Sequence, residues 1–379
     1  MAASSEAQAS SSSTLALPVV DLAPLLALPA GAAPSAELLA AARAATDALH
    51  RFGVLVVRDP RAPAEANARF LDLLERYFGQ AEEEKARDVR KEVYYQVGRT
   101  PERTELPRNH CARVAGLDLG AGREHAPLSL CPPEKDRKER FMRRVGPRPE
   151  RTAFAQLHAE PVLPAALPDF AAVCDAWGGA LLGAAEAVAE LAALGAGLPR
   201  DAFRRRMHCG AHLLAPTGSD FAKFGNEGTV LAGYHYDLNF LTVHGRSRFP
   251  GLFVWTRGGE RLSVAIPEGC LLVQAAKQFE HLTGGHVLAG FHEVVVSRAT
   301  VAAIEAARAA GRSLWRVSST LFAHICSDEL LEPLGEYGAL PSAKDYPPIL
   351  CGDHVNAELA AINLGAGSDG EGGDVAAGL

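Results

Sequence analysis

The sequence has no CxxC pair, no excess of basic charge and no uninterrupted apolar run of membrane-spanning length. Its seven cysteines, at 111, 131, 174, 209, 270, 326 and 351, are scattered, which argues against both a disulfide framework and a cysteine-based zinc site. They are expected to be reduced thiols in a cytoplasmic protein. Lys and Arg total 38 against 45 Asp and Glu, a formal net charge of −7. No global positive field therefore draws in a phosphate backbone, and nucleic acid is not an expected partner. Lacking a run of about 20 apolar residues, the chain is not expected to meet a membrane either. The first fourteen residues, MAASSEAQASSSST, are Ala/Ser-rich like a transit peptide but carry Glu6, and the first basic residue is Arg43. That is the wrong charge for organelle targeting, so 1–14 is read as a disordered leader.

What is present is the composition of a globular protein, 379 residues with 48% hydrophobic content, enough for a sizeable core. A single domain over 15–364 is expected, in three parts: helices and strands over 15–205, a β-rich core over about 206–330 and a C-terminal segment over 331–364. The Gly-rich 365–379 reads as a disordered tail. In the first part, Pro18-Val19-Val20 opens a short strand, 36–52 has helical apolar spacing with Gly53 placed to cap it, and GVLVVRDP is a buried strand closed by Asp59-Pro60. From Tyr94 to Glu150 the chain is rich in Arg, Pro and Gly without clear periodicity, the mark of a functional loop region such as a substrate collar. Tyr94, Tyr95, Arg99 and Arg103 are its candidate pocket residues. An Ala/Leu-rich helix with Trp177 follows over 166–194. Seven short runs of β-branched and alternating residues come next, interrupted by a helix over 299–312. The expected fold is mainly β with flanking α, a sandwich or jelly roll buttressed by helices.

The chemistry centres on His235-Tyr236-Asp237. If 234–242 is one strand, side chains two apart share a face, so an imidazole and a carboxylate emerge together while Tyr236 packs on the other side. His292, on a strand face with Val294 and Val296, is the best candidate for a second imidazole. Two histidines and a carboxylate with open positions are the usual protein ligands of non-haem Fe(II) oxygenases. Downstream, Arg316 and Ser318 share a strand face, and a guanidinium beside a hydroxyl is suited to hold a carboxylate. His324 points with them and is a further pocket candidate.

From Leu17 to about Leu330, and most closely from Tyr234 to Phe322, the chain resembles the isopenicillin N synthase-like branch of the Fe(II)/2-oxoglutarate-dependent dioxygenases. HYDLNFLTV with PGLFVW is similar to the HxD strand and its neighbour, His292 falls at the distal histidine and Arg316-Val317-Ser318 at the RxS motif. The resemblance implies a double-stranded β-helix in which His235, Asp237 and His292 bind Fe(II). Arg316 and Ser318 would then anchor 2-oxoglutarate as co-substrate, with O2 and, as an accessory, ascorbate. It implies oxidation of a C–H bond of a small organic substrate, hydroxylation by default, with release of succinate and CO2. The chain departs from the pattern at Leu214, where a co-substrate tyrosine is common, and at Lys277, Ala289 and Glu293. Lys277 is either a substitute carboxylate anchor or a snorkelling surface lysine. Two other readings remain open: an iron oxidase of this fold that does not use 2-oxoglutarate, and a non-catalytic jelly-roll protein that binds or senses a small acid. Nothing in the pattern fixes an oligomeric state.

Overall fold

The computed structural model describes residues 17–29, 31–117 and 125–365; the leader 1–14 and the tail from 366 lie outside them. Two antiparallel sheets face each other across the site. The strands are β1 (Val19–Asp21), β2 (Val54–Arg58), β3 (Gly98–Thr100), β4 (Glu139–Arg144), β5 (Leu213–Leu214), β6 (Thr217–Asp220) and β7 (Val230–His235). They continue with β8 (Leu241–Gly245), β9 (Leu252–Trp255), β10 (Arg261–Ser263), β11 (Cys270–Ala275), β12 (His292–Val295), β13 (Trp315–Val317) and β14 (Ser319–Ala323). The larger sheet runs β1-β2-β11-β8-β14-β5-β4-β6-β13, with β3 attached to β4; the smaller runs β10-β9-β12-β7. Only the β1–β2 pair is parallel among these. β1, β2 and β4 come from the N-terminal part, so the large sheet is assembled from the whole chain.

Helices pack on the outer face of the large sheet. Ala36–Phe52 begins where the Ser35 hydroxyl accepts from the Leu38 amide at 3.2 Å and ends at Gly53, whose φ of 69° is left-handed. A side chain at Gly53 would also sit 2.9 Å from the Gly290 backbone, so glycine is required there twice over. Leu38, Ala42, Ala45 and Leu49 form its buried stripe, and this stripe meets the helix Phe170–Gly195. That 26-residue helix is long and apolar enough to cross a membrane by length and composition, contrary to the expected absence of any such run. Here its faces are buried against the helices Ala36–Phe52 and Ala64–Phe78 and against β8 and β14. The interruption between β12 and β13 is a helix over Arg298–Ala309, started by a reciprocal cap between Ser297 and Thr300.

Two expectations need correction. The region 94–150 is not one long loop: it contains β4, a strand lying between β5 and β6 in the large sheet. The motif ERFMRR hides this because charged residues stand at three of its buried positions, Glu139, Arg143 and Arg144. Glu139 takes Lys85 and Arg99 as partners, and Arg143 meets Asp175 at 2.8 Å. Nor are all cysteines free thiols, since Cys111 and Cys131 are joined as a disulfide.

Candidate functional site

β7 ends at His235, and the chain then leaves the small sheet to enter β8 of the large sheet at Leu241. Asp237 lies in that crossing, so the expected continuous strand over 234–242 is two strands with a ligand between them. His235 is directly opposite His292 in the β7–β12 ladder, and the two rings lie 4.2 Å apart. Asp237 Oδ1 is 3.8 Å from His235 Nε2 and 3.9 Å from His292 Nε2. One donor atom from each residue lies within 4.8 Å of the others, a cluster able to hold a metal ion.

Each donor is steadied from behind. The His235 Nδ1 nitrogen is bonded to the Gly233 carbonyl, leaving Nε2 for a ligand role. The Thr242 hydroxyl donates to Asp237 Oδ2 at 2.6 Å, and the His292 ring packs against the Gln274 side chain on β11 with its Nδ1 3.5 Å from the Gly290 carbonyl. Burial, helped by the neighbouring His292, holds His235 well below the usual imidazole range. Burial works against the Asp237 carboxylate, but His292, His235 and the Thr242 hydroxyl outweigh it and hold the group below its usual range. A neutral imidazole and an ionised carboxylate are the forms that bind a divalent cation.

Two cavities meet at this cluster. The first is lined by Arg316, Ser318, Thr217, His244 and Thr320 as well as the three cluster residues. Arg316 is buried on β13, no carboxylate among the described residues pairs with it, and its Nε has no partner. Burial alone pulls this guanidinium down to about 10. A buried arginine stays charged and is costly without a counter-ion, so this cavity is built for an anion. Beside it the Ser318 hydroxyl accepts from the Thr217 amide at 2.9 Å and from the Thr320 hydroxyl at 3.1 Å.

The second cavity shares Lys138, Arg140, His235, Asp237 and Phe322 with the first. Its polar wall comes from β4 and the stretches before it: Glu105, Arg108, His110, Asp136, Lys138 and Arg140. None of these was singled out from the sequence. The only signal was the density of charge around ERFMRR, which reads as surface. Leu106, Met142, Leu213, Phe322 and Leu359 make the wall apolar elsewhere. Tyr236 lines this cavity instead of packing behind the cluster: its hydroxyl accepts from Arg108 at 2.6 Å and faces Glu358 at 3.3 Å. The reason is local, since strand alternation stops at His235.

Of the expected pocket residues, His324 lines the second cavity, whereas Tyr94, Tyr95 and Arg99 line neither. Tyr95 is in the hydrophobic core, and Arg103 is exposed and pairs with half-buried Glu102. The Arg99 guanidinium is buried against Glu82, at 2.6 and 2.9 Å, and Glu139. Leu214 is also in the core and faces the helix Phe170–Gly195; its neighbours Leu213 and Ala215 face the cavities. A tyrosine at 214 would not have reached the site in any case. Lys277 turns to Glu280 at 2.6 Å and stands over the Tyr236 ring, so it is no substitute carboxylate anchor. Glu293 points away from the cluster and takes Arg261 at 3.0 Å and the amides of Leu128 and Ser129.

No protein-family model and no curated protein sequence matches the chain. Solved structures do. A protein assigned to the 2OG-Fe(II) oxygenase family from Caulobacter crescentus superposes with a TM-score of 0.68 at 22% identity, covering 91% of this chain and 98% of that one. A full-length Neurospora crassa protein in complex with alpha-KG gives 0.69 at 18% identity, with 91% and 96% covered. A rice dioxygenase for auxin oxidation gives 0.61 at 18%, with 91% and 95% covered. The whole described chain, with its mixed helices and large antiparallel sheets, has the fold of the 2OG-Fe(II) oxygenases.

Proposed function

We propose that the protein is an Fe(II)- and 2-oxoglutarate-dependent oxygenase of the isopenicillin N synthase-like branch, acting on a C–H bond of a small organic substrate. On this reading the two sheets form the double-stranded β-helix of one domain over 15–364. The observation that carries it is Arg316, a buried guanidinium with no counter-ion in the same cavity as the His235, Asp237 and His292 cluster. A dicarboxylate supplies what both ends of that cavity lack.

The residues present fit the iron and the co-substrate. His235, Asp237 and His292 would hold the metal, and their donor set suits Fe(II). Arg316 would take the far carboxylate with two N–H bonds, and the Ser318 hydroxyl would add a third. When bound, iron supplies the dioxygen activation that couples decarboxylation of 2-oxoglutarate, to succinate and CO2, with hydroxylation of the substrate. The protein's own part is positional. Thr242 and Gly233 fix Asp237 and His235, and the second cavity places the substrate against the open side of the cluster while Leu213 and Phe322 keep water out.

The deciding experiment is anaerobic addition of Fe(II) and 2-oxoglutarate to the purified apoprotein, with the visible spectrum followed for the weak charge-transfer band of the chelate. The band is expected with the parent protein and lost with Asp237→Ala. A folded protein that binds iron tightly but shows no band with 2-oxoglutarate would instead be an iron oxidase of the same fold.

A further inference from the structure

The second cavity is lined by ions, and each of its cations already faces a carboxylate. Arg108 meets Glu358 at 2.8 Å. Lys138 pairs with Glu105 at 2.8 Å and also with Asp136, and Arg140 reaches the same Glu105 carboxylate at 3.0 Å. Three cations thus face three carboxylates, and no lysine or arginine lining this cavity is spare among the described residues. A substrate carboxylate would be buried beside Glu105 and Asp136 with no spare cation to receive it, which is unfavourable. An uncharged molecule meets no such penalty.

One group in the cavity has its hydrogen-bonding direction set by its neighbours. Gln278 Oε1 accepts from the Ile325 amide at 2.9 Å, which fixes the Gln278 side chain and leaves its Nε2 to donate to His324 Nδ1 at 3.2 Å. A neutral imidazole whose Nδ1 accepts carries its proton on Nε2. Burial, with His212 nearby, holds the ring well below the usual imidazole range, so it is neutral. His324 lines the cavity, and its Nε2 has no partner among the described residues. The donor has to find its acceptor in whatever occupies the cavity.

We propose that His324 is a specificity-determining residue whose Nε2–H donates to the substrate, and that the substrate is an uncharged molecule presenting a carbonyl-type acceptor, such as an amide, imide or lactam, and not a free acid. This rests on the second cavity being the substrate site. Gln278 is a positioning residue that sets the tautomer.

The test uses metal-free protein saturated with succinate, which fills the Arg316 cavity so that the acid probes report on the second cavity alone, and it stands apart from the charge-transfer measurement that decides the iron chemistry. Matched pairs of probes, benzamide with benzoate, phenylacetamide with phenylacetate and nicotinamide with nicotinate, are titrated by saturation-transfer NMR. The amides are expected to bind at least about tenfold more tightly than their acids, a difference of about 1.4 kcal/mol. His324→Ala should weaken the amides by about tenfold, and His324→Gln, which keeps an N–H at similar reach, should restore most of that. In parallel, long-range 1H–15N spectra of histidine-labelled protein, assigned with His324→Gln, should show the His324 proton on Nε2 at neutral pH. In Gln278→Glu it should move to Nδ1, because a carboxylate accepts where the amide donated. Acids binding as well as amides, no amide binding at millimolar concentration, a proton on Nδ1 in the parent protein, or unchanged amide affinity in His324→Ala would each overturn the proposal.

Discussion

On the Arg316 side of the metal cluster one buried guanidinium has no counter-ion, whereas on the Lys138 side three cations share three carboxylates. Both arrangements are polar, yet they ask for different guests. An unpaired charge stores a cost that a bound anion relieves, so Arg316 is a reason for a dicarboxylate to enter. The paired ions gain nothing from another charge, and they sort neutral molecules by hydrogen bonding and shape. The two cavities share Lys138 and Arg140, which must therefore stay satisfied from the Glu105 side for the difference to hold.

The strongest way to break the comparison is to remove what the cavities share. Asp237→Ala should lose Fe(II) binding and all turnover, read by metal titration and succinate release; full activity in this variant would refute the metal-site assignment. Next in size, Arg316→Met should weaken 2-oxoglutarate by about a hundredfold or more while leaving Fe(II) affinity alone, the loss of a charged bidentate contact costing about 2–5 kcal/mol. The same change removes an uncompensated buried charge, so the apoprotein should melt at the same or higher temperature. A lower melting point would mean that Arg316 has a partner in the folded chain after all. Glu105→Gln should cost about 3 kcal/mol in denaturant unfolding, because Lys138 and Arg140 lose their shared partner. It should also let the second cavity accept benzoate.

A smaller effect is expected in acid. Burial holds His212 and His354 down to about 3 and His158 down to about 4, below the value near 6.5 of an unfolded histidine. The unfolded chain therefore takes up protons first, so the stability these neutral rings contribute is complete above about pH 6.5 and is lost as pH falls toward 4 and 3. Melting temperatures measured from pH 8 to pH 4.5 should begin to drop below pH 6.5, and a flat profile down to pH 5 would contradict it. Smallest of all, Gln274→Leu should weaken Fe(II) by about 10- to 100-fold through the orientation of His292, read by competition with a chelator.

The metal cluster was legible in the sequence because its residues stand out. His235, Asp237, His292 and Arg316 are polar side chains set in apolar, β-branched runs, where a strand face has few reasons to carry them. Helix 36–52 was legible for the complementary reason, an unbroken apolar stripe closed by Gly53. β4 was hidden because four of its six residues, Glu139, Arg140, Arg143 and Arg144, are charged, and the groups that pair with them include Lys85, Arg99, Glu105 and Asp175, tens of residues away in sequence. Hydrophobic periodicity has no way to register such a strand. The wall of the second cavity went with it. Leu214 shows a different limit, a one-residue shift of face that the amino-acid pattern does not carry and the β5–β14 register does.

The place where β7 ends has a mechanical consequence. His235 and His292 belong to the small sheet, but by Asp237 the backbone is on its way into the large one. An ion held by all three would be a rivet through two plates. The seam it would close borders both cavities, since His235 and Asp237 line each of them.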